Sequence, residues 1–501
     1  MMKKVRLLFP LFLGVLFPLL FHKQQAGINV LIFNLLIISF LIWNKRLNII
    51  NSINLLLAIG TFLSALMVVI HGSHTALTVN IISLIMVAGL TASPKLHILS
   101  NSLLSFLAGS FTSPIEYLKE LASVTNTNRK VAKTIRILAF LVVPIITLIL
   151  FISIYSASSP YYQHLTGNVL TVINDIFKKL TENISPAVFW LAVTGLIVGI
   201  VLAFSKIQTG FDLPYERGEI NMIRERRYYK GSPAGLHFEL RTAVFTFILL
   251  NIALAVMNIL DLWHVWINFK WDGGYLKQFV HEGTWLLILS IVISVALVLW
   301  YFRGNLNFYS KTKLLVYLSR IWLWQNIFLA LSVAVRNYWY LSYFNLAYKR
   351  IWVYAFLILV IYGLFTVLVK VNKRRTIRYL LIKNSITAYI VFAVLSFVNW
   401  DNVIVRFNIN RAEVAFFHTN FMDDLDSSTL PILIMDKQQI VRIKEAQSNI
   451  FSYHANYESL EQYNRNLINR KNDFLLGFPE LHWLSWTYSD YKTFRELKSA
   501  E

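Results

Sequence analysis

The sequence contains no cysteine. Structural disulfides, a cysteine-ligated zinc, an iron–sulfur cluster and a thiol nucleophile are therefore excluded. Catalytic signatures are missing as well: there is no P-loop, no dinucleotide-binding glycine fingerprint and no nucleophile elbow. His281-Glu282 lacks the second histidine that a zinc-protease helix needs on the same face, and His237 with Glu239 has no third ligand nearby. Neither a metal nor a cofactor is expected. Charge is the third scarcity. Only 15% of the 501 residues are charged, against roughly 25% in ordinary soluble domains.

Apolar residues take the place of charge. They make up 56% of the chain, and the mean hydropathy is +0.55. They come in runs of about 20, the length that crosses a bilayer as helix. Within lipid each backbone N–H and C=O must be paired inside its own segment, which favours helices. A β-barrel would show short alternating segments, whereas these blocks are continuous. The expected fold class is an all-α polytopic integral membrane protein of about 11 transmembrane helices, with a mostly helical C-terminal domain outside the membrane.

The spans are read at 5–22, 27–43, 52–71, 76–94, 135–157, 186–205, 241–266, 284–302, 314–338, 351–369 and 382–400. The first run could be a signal peptide, but His22-Lys23-Gln24-Gln25 follows it in place of a small-residue cleavage site. Basic residues then test the alternation of loops. One set, from Lys3, Lys4 and Arg6 through Lys45 and Arg46 to Arg374, Arg375 and Arg378, holds 27; the other set holds seven. The positive-inside rule puts the first set in the cytoplasm, and an odd number of spans puts the C-terminus outside. The segment 97–111 is apolar but short and rich in Ser and Asn. It is read as an interfacial or re-entrant helix, since a twelfth span would destroy the charge asymmetry. Residues 174–182 read as a similar surface helix on the outer side.

The formal net charge of +21 follows from these loops and is not a nucleic-acid footprint. Residues 401–501 hold 11 Lys+Arg and 14 Asp+Glu, so the positive charge lies in the membrane part. Three regions follow: 1–134 with four spans and an interfacial or cytoplasmic helix over 97–134, 135–400 with seven spans, and an extracytoplasmic domain over 401–501. The stretch Asp401-Asn-Val-Ile-Val-Arg-Phe-Asn408 can leave the last span in extended form. Beyond it the tail reads as helices broken at Pro431 and Pro479, with Leu430, Ile432, Leu433 and Ile434 in the core. The long loop 206–240 reads as a basic segment meeting anionic headgroups or docking a partner.

Ionisable residues near or inside spans are costly and become candidates. Arg320 lies within span nine, where it snorkels, pairs with another helix or serves function. The outer ends are richer. Asp261 and His264 end span seven; His281 and Glu282 open span eight; Arg336 and Tyr340 end span nine; Arg350 opens span ten. If these converge, Asp261 or Glu282 can neutralise Arg336 in a charge-assisted, bidentate pair. The cluster then reads either as a clamp between spans or as a polar pocket with a carboxylate–histidine pair. In span six, Gly195-Leu-Ile-Val-Gly199 matches the GxxxG packing pattern.

Three segments carry a resemblance. They are His281-Glu-Gly; Ser332-Val-Ala-Val-Arg-Asn-Tyr-Trp-Tyr with Leu346-Ala-Tyr-Lys-Arg-Ile-Trp; and Asn402-Val-Ile-Val-Arg-Phe-Asn with Leu425-Asp and Leu430-Pro-Ile-Leu. In this order they resemble bacterial multi-spanning proteins catalogued as domain of unknown function 4173, and its relative 4153. The resemblance covers about 135–440. It implies a bacterial cytoplasmic-membrane protein with a periplasmic tail, and no activity. By matching position it singles out His281, Glu282, Arg336, Tyr340, Arg350, Asn402, Arg406 and Asn408. A Gly-Leu-Thr turn associated with the family stands here as Asn345-Leu346-Ala347.

With no catalytic signature, the expected role is sensing, docking or scaffolding at the outer face, and an enzyme is not favoured. A transporter or lipid-linked-intermediate carrier is the alternative, and a membrane enzyme acting on lipid or glycan the second. Expected partners are the bilayer with either a periplasmic protein or a lipid headgroup, and no nucleic acid.

Overall fold

The computed structural model describes residues 2–93, 96–124, 185–206, 213–224, 234–269, 273–450 and 459–499. The expected span 135–157 and the expected surface helix 174–182 lie outside the described residues. Eight described helices are long and apolar enough to cross a membrane, and Ile28–Trp43 and Leu287–Tyr301 are shorter apolar helices. No strand occurs among the described residues; Asn221 and Arg375 form an isolated bridge. The protein is an all-α, multi-pass membrane protein.

Packing divides the chain into two compact units, Met1–Pro214 with Leu481–Ser489, and Tyr215–Glu480 with Asp490–Glu501. The first contains α1 (Met2–Phe21), α2 (Ile28–Trp43), α3 (Ser52–His71), α4 (His74–Ala92), α5 (Asn101–Val124) and α6 (Pro186–Phe204). Local chemistry sets the tight α3–α4 turn. Gly72 ends α3 at φ 65°, a left-handed conformation that glycine adopts without strain, and Ser73 caps α4 by accepting from Ala76 N at 3.3 Å.

Because lipid is as apolar as leucine, these helices associate through small and polar residues. Gly195 and Gly199 of α6 let it press on α1. A methyl at Gly199 would lie 2.6 Å from Pro10 Cα, and one at Gly195 would collide with the Leu13 carbonyl. Buried Asn34 of α2 and Asn80 of α4 hydrogen-bond side chain to side chain at 3.1 Å, and Asn80 also donates to Thr61 O at 3.0 Å and Ser64 Oγ at 3.1 Å on α3. One amide thus ties three helices.

Helix α5 covers the expected 97–111 segment and does not run between the other helices. It crosses their ends. Gly109 meets Ala92 and Ser205; Thr112 donates to Lys206 O at 2.8 Å; Tyr117 meets the Phe204 ring at 5.0 Å; Glu120 pairs with Arg6 at 3.4 Å. These partners sit at the same ends of α1, α4 and α6, beside Arg46. The Arg46 guanidinium donates to Thr91 O at 3.0 Å and to the Ala203 and Ser205 carbonyls. Burial, with repulsion from Arg6, lowers its pKa to about 10 against the opposing pull of Glu120.

The second unit begins with α7 (Ala234–Asp261), continued by a π turn (Leu262–Ile267), then α8 (Gly273–Tyr301), α9 (Lys313–Phe344), α10 (Tyr348–Lys373) and α11 (Ile377–Ser396). Its membrane core is aliphatic around Phe247, Phe302 and Leu323. Part of the long loop packs onto the α10–α11 connection: Met222 N donates to Arg374 O at 2.9 Å, and Thr376 N donates to Ile220 O at 2.8 Å. The rest of its basic run, 225–233, lies outside the described residues.

The stretch expected to leave the last span in extended form is instead a helix, α12 (Trp400–Ile409). Asn399 caps it by accepting from Asn402 N at 3.1 Å, and Asp401 sits in the first turn where the helix dipole favours an anion. The tail continues with α13 (Thr419–Asp423), α14 (Leu430–Leu433), α15 (Lys437–Ile450), α16 (Leu460–Gly477) and α17 (Tyr488–Ser499). Leu430 and Leu433 are fully buried, with Ile432 and Ile434 packed beside them. Pro431 lies in the first turn of α14, where its missing N–H costs nothing, and Pro479 follows the end of α16. Buried Gln447 staples the tail by donating to Ala412 O at 2.6 Å and Ala415 O at 2.8 Å while accepting from Phe417 N at 3.1 Å.

Candidate functional site

The residues expected to form one outer cluster separate into two places. At the first, Asp261 at the end of α7 forms an ion pair with Arg336 of α9, and both side chains are only 4% exposed. Glycine-poor α9 is a continuous 32-residue helix, so Arg336 is held rigidly where α7 gives way to the π turn. That turn shifts the helical register, and Trp266 and Trp339 fasten it: Trp266 Nε1 donates to Ser332 Oγ at 3.0 Å and Trp339 Nε1 to Val265 O at 2.8 Å. A single carboxylate oxygen, Oδ1, takes the arginine. Asp261 Oδ2 has no hydrogen-bond partner among the described residues, so the pair is not a bidentate fork. His264 lies on the π turn and faces outward. His281 and Glu282 lie on the backbone of α8, and their side chains fall outside the described residues.

At the second place, Arg350 of α10 stacks over the Tyr340 ring of α9 at 4.6 Å. Its guanidinium donates to Phe344 O at 3.0 Å and to the Asn345 carbonyl, closing the connection between α9 and α10. Asn337 donates to the Arg350 carbonyl at 3.1 Å. No carboxylate pairs with Arg350 among the described residues.

The tail seals this place. Asn408 Nδ2 donates to Leu346 O at 2.9 Å, and Asn408 Oδ1 accepts from Leu346 N at 2.8 Å, so one buried amide pairs both polar groups of a backbone residue. Asn345 holds φ 62°, ψ −176°, a region almost reserved for glycine that costs of order 1–3 kcal/mol for other residues. Its amide offsets part of this by donating to Phe416 O at 3.1 Å. The position where the resemblance has glycine is thus one where backbone geometry asks for it. Among the other candidates, Asn402 lies in the capped first turn of α12 and Arg406 is exposed on the same helix. Arg320 reaches across to α10, donating to Asn372 Oδ1 at 2.7 Å.

Around Arg350 the helices leave a cavity of about 820 Å³. Asp261 and Arg336 do not line it. Its deep wall is apolar, with Val353, Phe356, Leu359 and Phe392, and its upper wall carries Asn337, Tyr340, Arg350, Asn408 and His418. His418 caps α13, its Nδ1 accepting from Phe421 N at 3.1 Å. Burial, helped by the Arg350 charge, lowers the His418 pKa against the opposing pull of its own backbone hydrogen bond and Asp424. The imidazole is therefore neutral at physiological pH.

Sequence reasoning did not single out three of these features. His418 was read only as part of the tail. Asn345 was seen only as a departure from a motif. Lys370, one of the 27 basic residues counted by sequence to the inner loops, is 3% exposed and donates to Phe302 O at 2.8 Å.

The model of one family, described as Domain of unknown function (DUF4153), matches residues 30–435. The match runs from α2 to the end of α14 and takes in every described wall of the cavity. It falls on the relative named by the motif resemblance, and membership of family 4173 is not what the match supports. No curated protein and no solved structure matches the chain. This multi-pass membrane chain belongs to the DUF4153 family.

Proposed function

We propose that the protein is a non-enzymatic receptor of the bacterial cytoplasmic membrane that holds an amphiphile in the α9–α10 cavity and reports it through its C-terminal tail. The observation that carries this reading is the cavity's construction. From Lys349 to Leu359 it follows ten residues of α10, about 15 Å of helix rise. It passes from polar groups to an apolar floor, as a headgroup and chain require. Tail residues Asn408, Phe416, His418 and Phe421 form part of its wall, so filling the cavity and ordering the tail are thermodynamically linked. The basic-loop asymmetry supports a cytoplasmic N-terminus and a periplasmic tail, with the polar end of the cavity at the outer face.

The test is hydrogen exchange of residues 401–435 in purified protein, delipidated and then resupplied with lipid extract of the native membrane. Added lipid should slow exchange in the tail, and Phe356→Ala, which empties part of the floor, should weaken that response. Tail exchange that ignores lipid in the unaltered protein would refute the reading. A carrier is the second reading, favoured by the depth of the apolar floor at Phe356 and Leu359. It would show as lipid transfer between vesicles on addition of the reconstituted protein.

A further inference from the structure

Two described side chains on the cavity wall carry positive charge at neutral pH, Lys349 and Arg350, and His418 beside them is neutral. No Asp or Glu is among the described residues that line it. The contrast with Arg336 is direct, because that guanidinium has Asp261 as counter-ion. Among the described residues Arg350 has only neutral partners: two carbonyls and Tyr340, which offers its ring face and a side-chain hydrogen bond. Its Nε is buried without a hydrogen bond. A guanidinium so placed has lost water without gaining a counter-charge from the described residues, and an anion supplied from outside would complete it. The start of α10 adds to the same field. Its first turn holds no acidic residue, and Ala347 gives it no side-chain cap. Arg350 itself lies in that first turn, at the positive end of the helix dipole. Arginine, planar and weakly hydrated, suits a phosphate better than lysine does.

We propose that the ligand of this cavity is a lipid with a net anionic, phosphate-bearing head, its phosphate on Arg350 and its chain along α10. This rests on the amphiphile reading above and adds the charge and chemistry of the head. Lys349, exposed at the rim, meets the head as it enters. The apolar floor excludes free phosphate as the preferred ligand, since a bare anion would leave most of the cavity unfilled. Tyr340, which also lines the cavity, stacks on the guanidinium and steadies its plane.

The experiment is native mass spectrometry of the full chain in a neutral detergent. Phosphatidylglycerol, phosphatidylcholine and diacylglycerol with identical chains are supplied in turn, and inorganic phosphate alone forms a fourth arm. The expected result is at least a tenfold higher retention of phosphatidylglycerol than of the other two lipids, with no adduct from phosphate alone. Arg350→Gln should reduce that preference below about threefold, while Arg350→Lys should keep a clear part of it. Equal retention of all three lipids would sink the anionic head but leave the amphiphile cavity standing. Retention of no lipid would remove both. An adduct from phosphate alone as persistent as the lipid's would make this a soluble-anion site and overturn the proposal. Because Arg350 also closes the α9–α10 connection, Lys349→Gln serves where Arg350→Gln fails to fold. It should lower the preference about threefold, and an unchanged preference there counts against the proposal.

Discussion

The two compact units hold their helices together by different chemistry. In the first, contact is made by absence: Gly195 and Gly199 remove side chains so that α1 can approach, and Asn34 and Asn80 supply a neutral network among α2, α3 and α4. In the second, contact is made by charge and aromatic rings. Asp261 neutralises Arg336, Arg350 stacks on Tyr340, and the Asn408 amide locks the tail to the α9–α10 connection. A neutral interface tolerates the loss of one partner, because each group left behind can rotate toward another carbonyl. A buried charge has no such retreat. The second unit holds the pair in which both charged side chains are nearly fully buried, and it also has a cavity whose arginine has no carboxylate partner among the described residues.

The largest effect expected from breaking this contrast is at the ion pair. Asp261→Ala should cost about 3–5 kcal/mol by taking the carboxylate away from a buried guanidinium. Asp261→Leu with Arg336→Leu should recover most of the loss. Thermal unfolding in detergent checks both, and a double variant no more stable than the single one would show that Arg336 is not the reason.

In the first unit the corresponding test is overpacking. Gly195→Ala should cost about 1–3 kcal/mol, since its methyl would strike the Leu13 carbonyl. The native sequence has no cysteine, so a disulfide placed between α1 and α6 reports the separation directly and should form more slowly in the variant. Next comes Asn408→Ala, which strands the Leu346 N–H and C=O and should cost about 1–3 kcal/mol. Its signature is faster hydrogen exchange in 401–435 with the bundle unchanged.

Two smaller effects sharpen the comparison within the second unit. Asn345→Gly removes the cost of a left-handed asparagine and gives up its bond to Phe416. A net gain within about 1 kcal/mol is expected, measured as a raised unfolding midpoint. The smallest effect is pH. The folded-state pKa of His418 is depressed below 6.5, so the stability it contributes is fully present above 6.5 and is lost as pH falls through the folded value. Tail unfolding should become slightly easier in acid, and His418→Asn should flatten that slope.

The sequence showed the membrane class plainly, because a run of apolar side chains as long as the bilayer is thick has few other uses. Helix ends were close where a cap or a glycine marks them, as at Asn51 and Gly72. The exit of the last span, which the sequence allows to be extended over Asp401–Asn408, is a helix because Asn399 caps it. The outer cluster was legible only as a set. Spacing placed Asp261, Arg336 and Arg350 at similar depth, but rotation about each helix axis decided which of them met. Arg336 turned to α7 and Arg350 to the void.

What the sequence by itself determined is the number and approximate ends of the described apolar helices, the uneven charge of their loops, and the absence of thiol chemistry. Each of these depends on composition along one segment, which is local. Only the tertiary structure decided that α5 crosses helix ends, that Asp261 takes Arg336 through one oxygen, and that Arg350 faces a cavity closed by the tail. These depend on which faces of distant helices meet, and the packing that sets those rotations involves residues far apart in the chain.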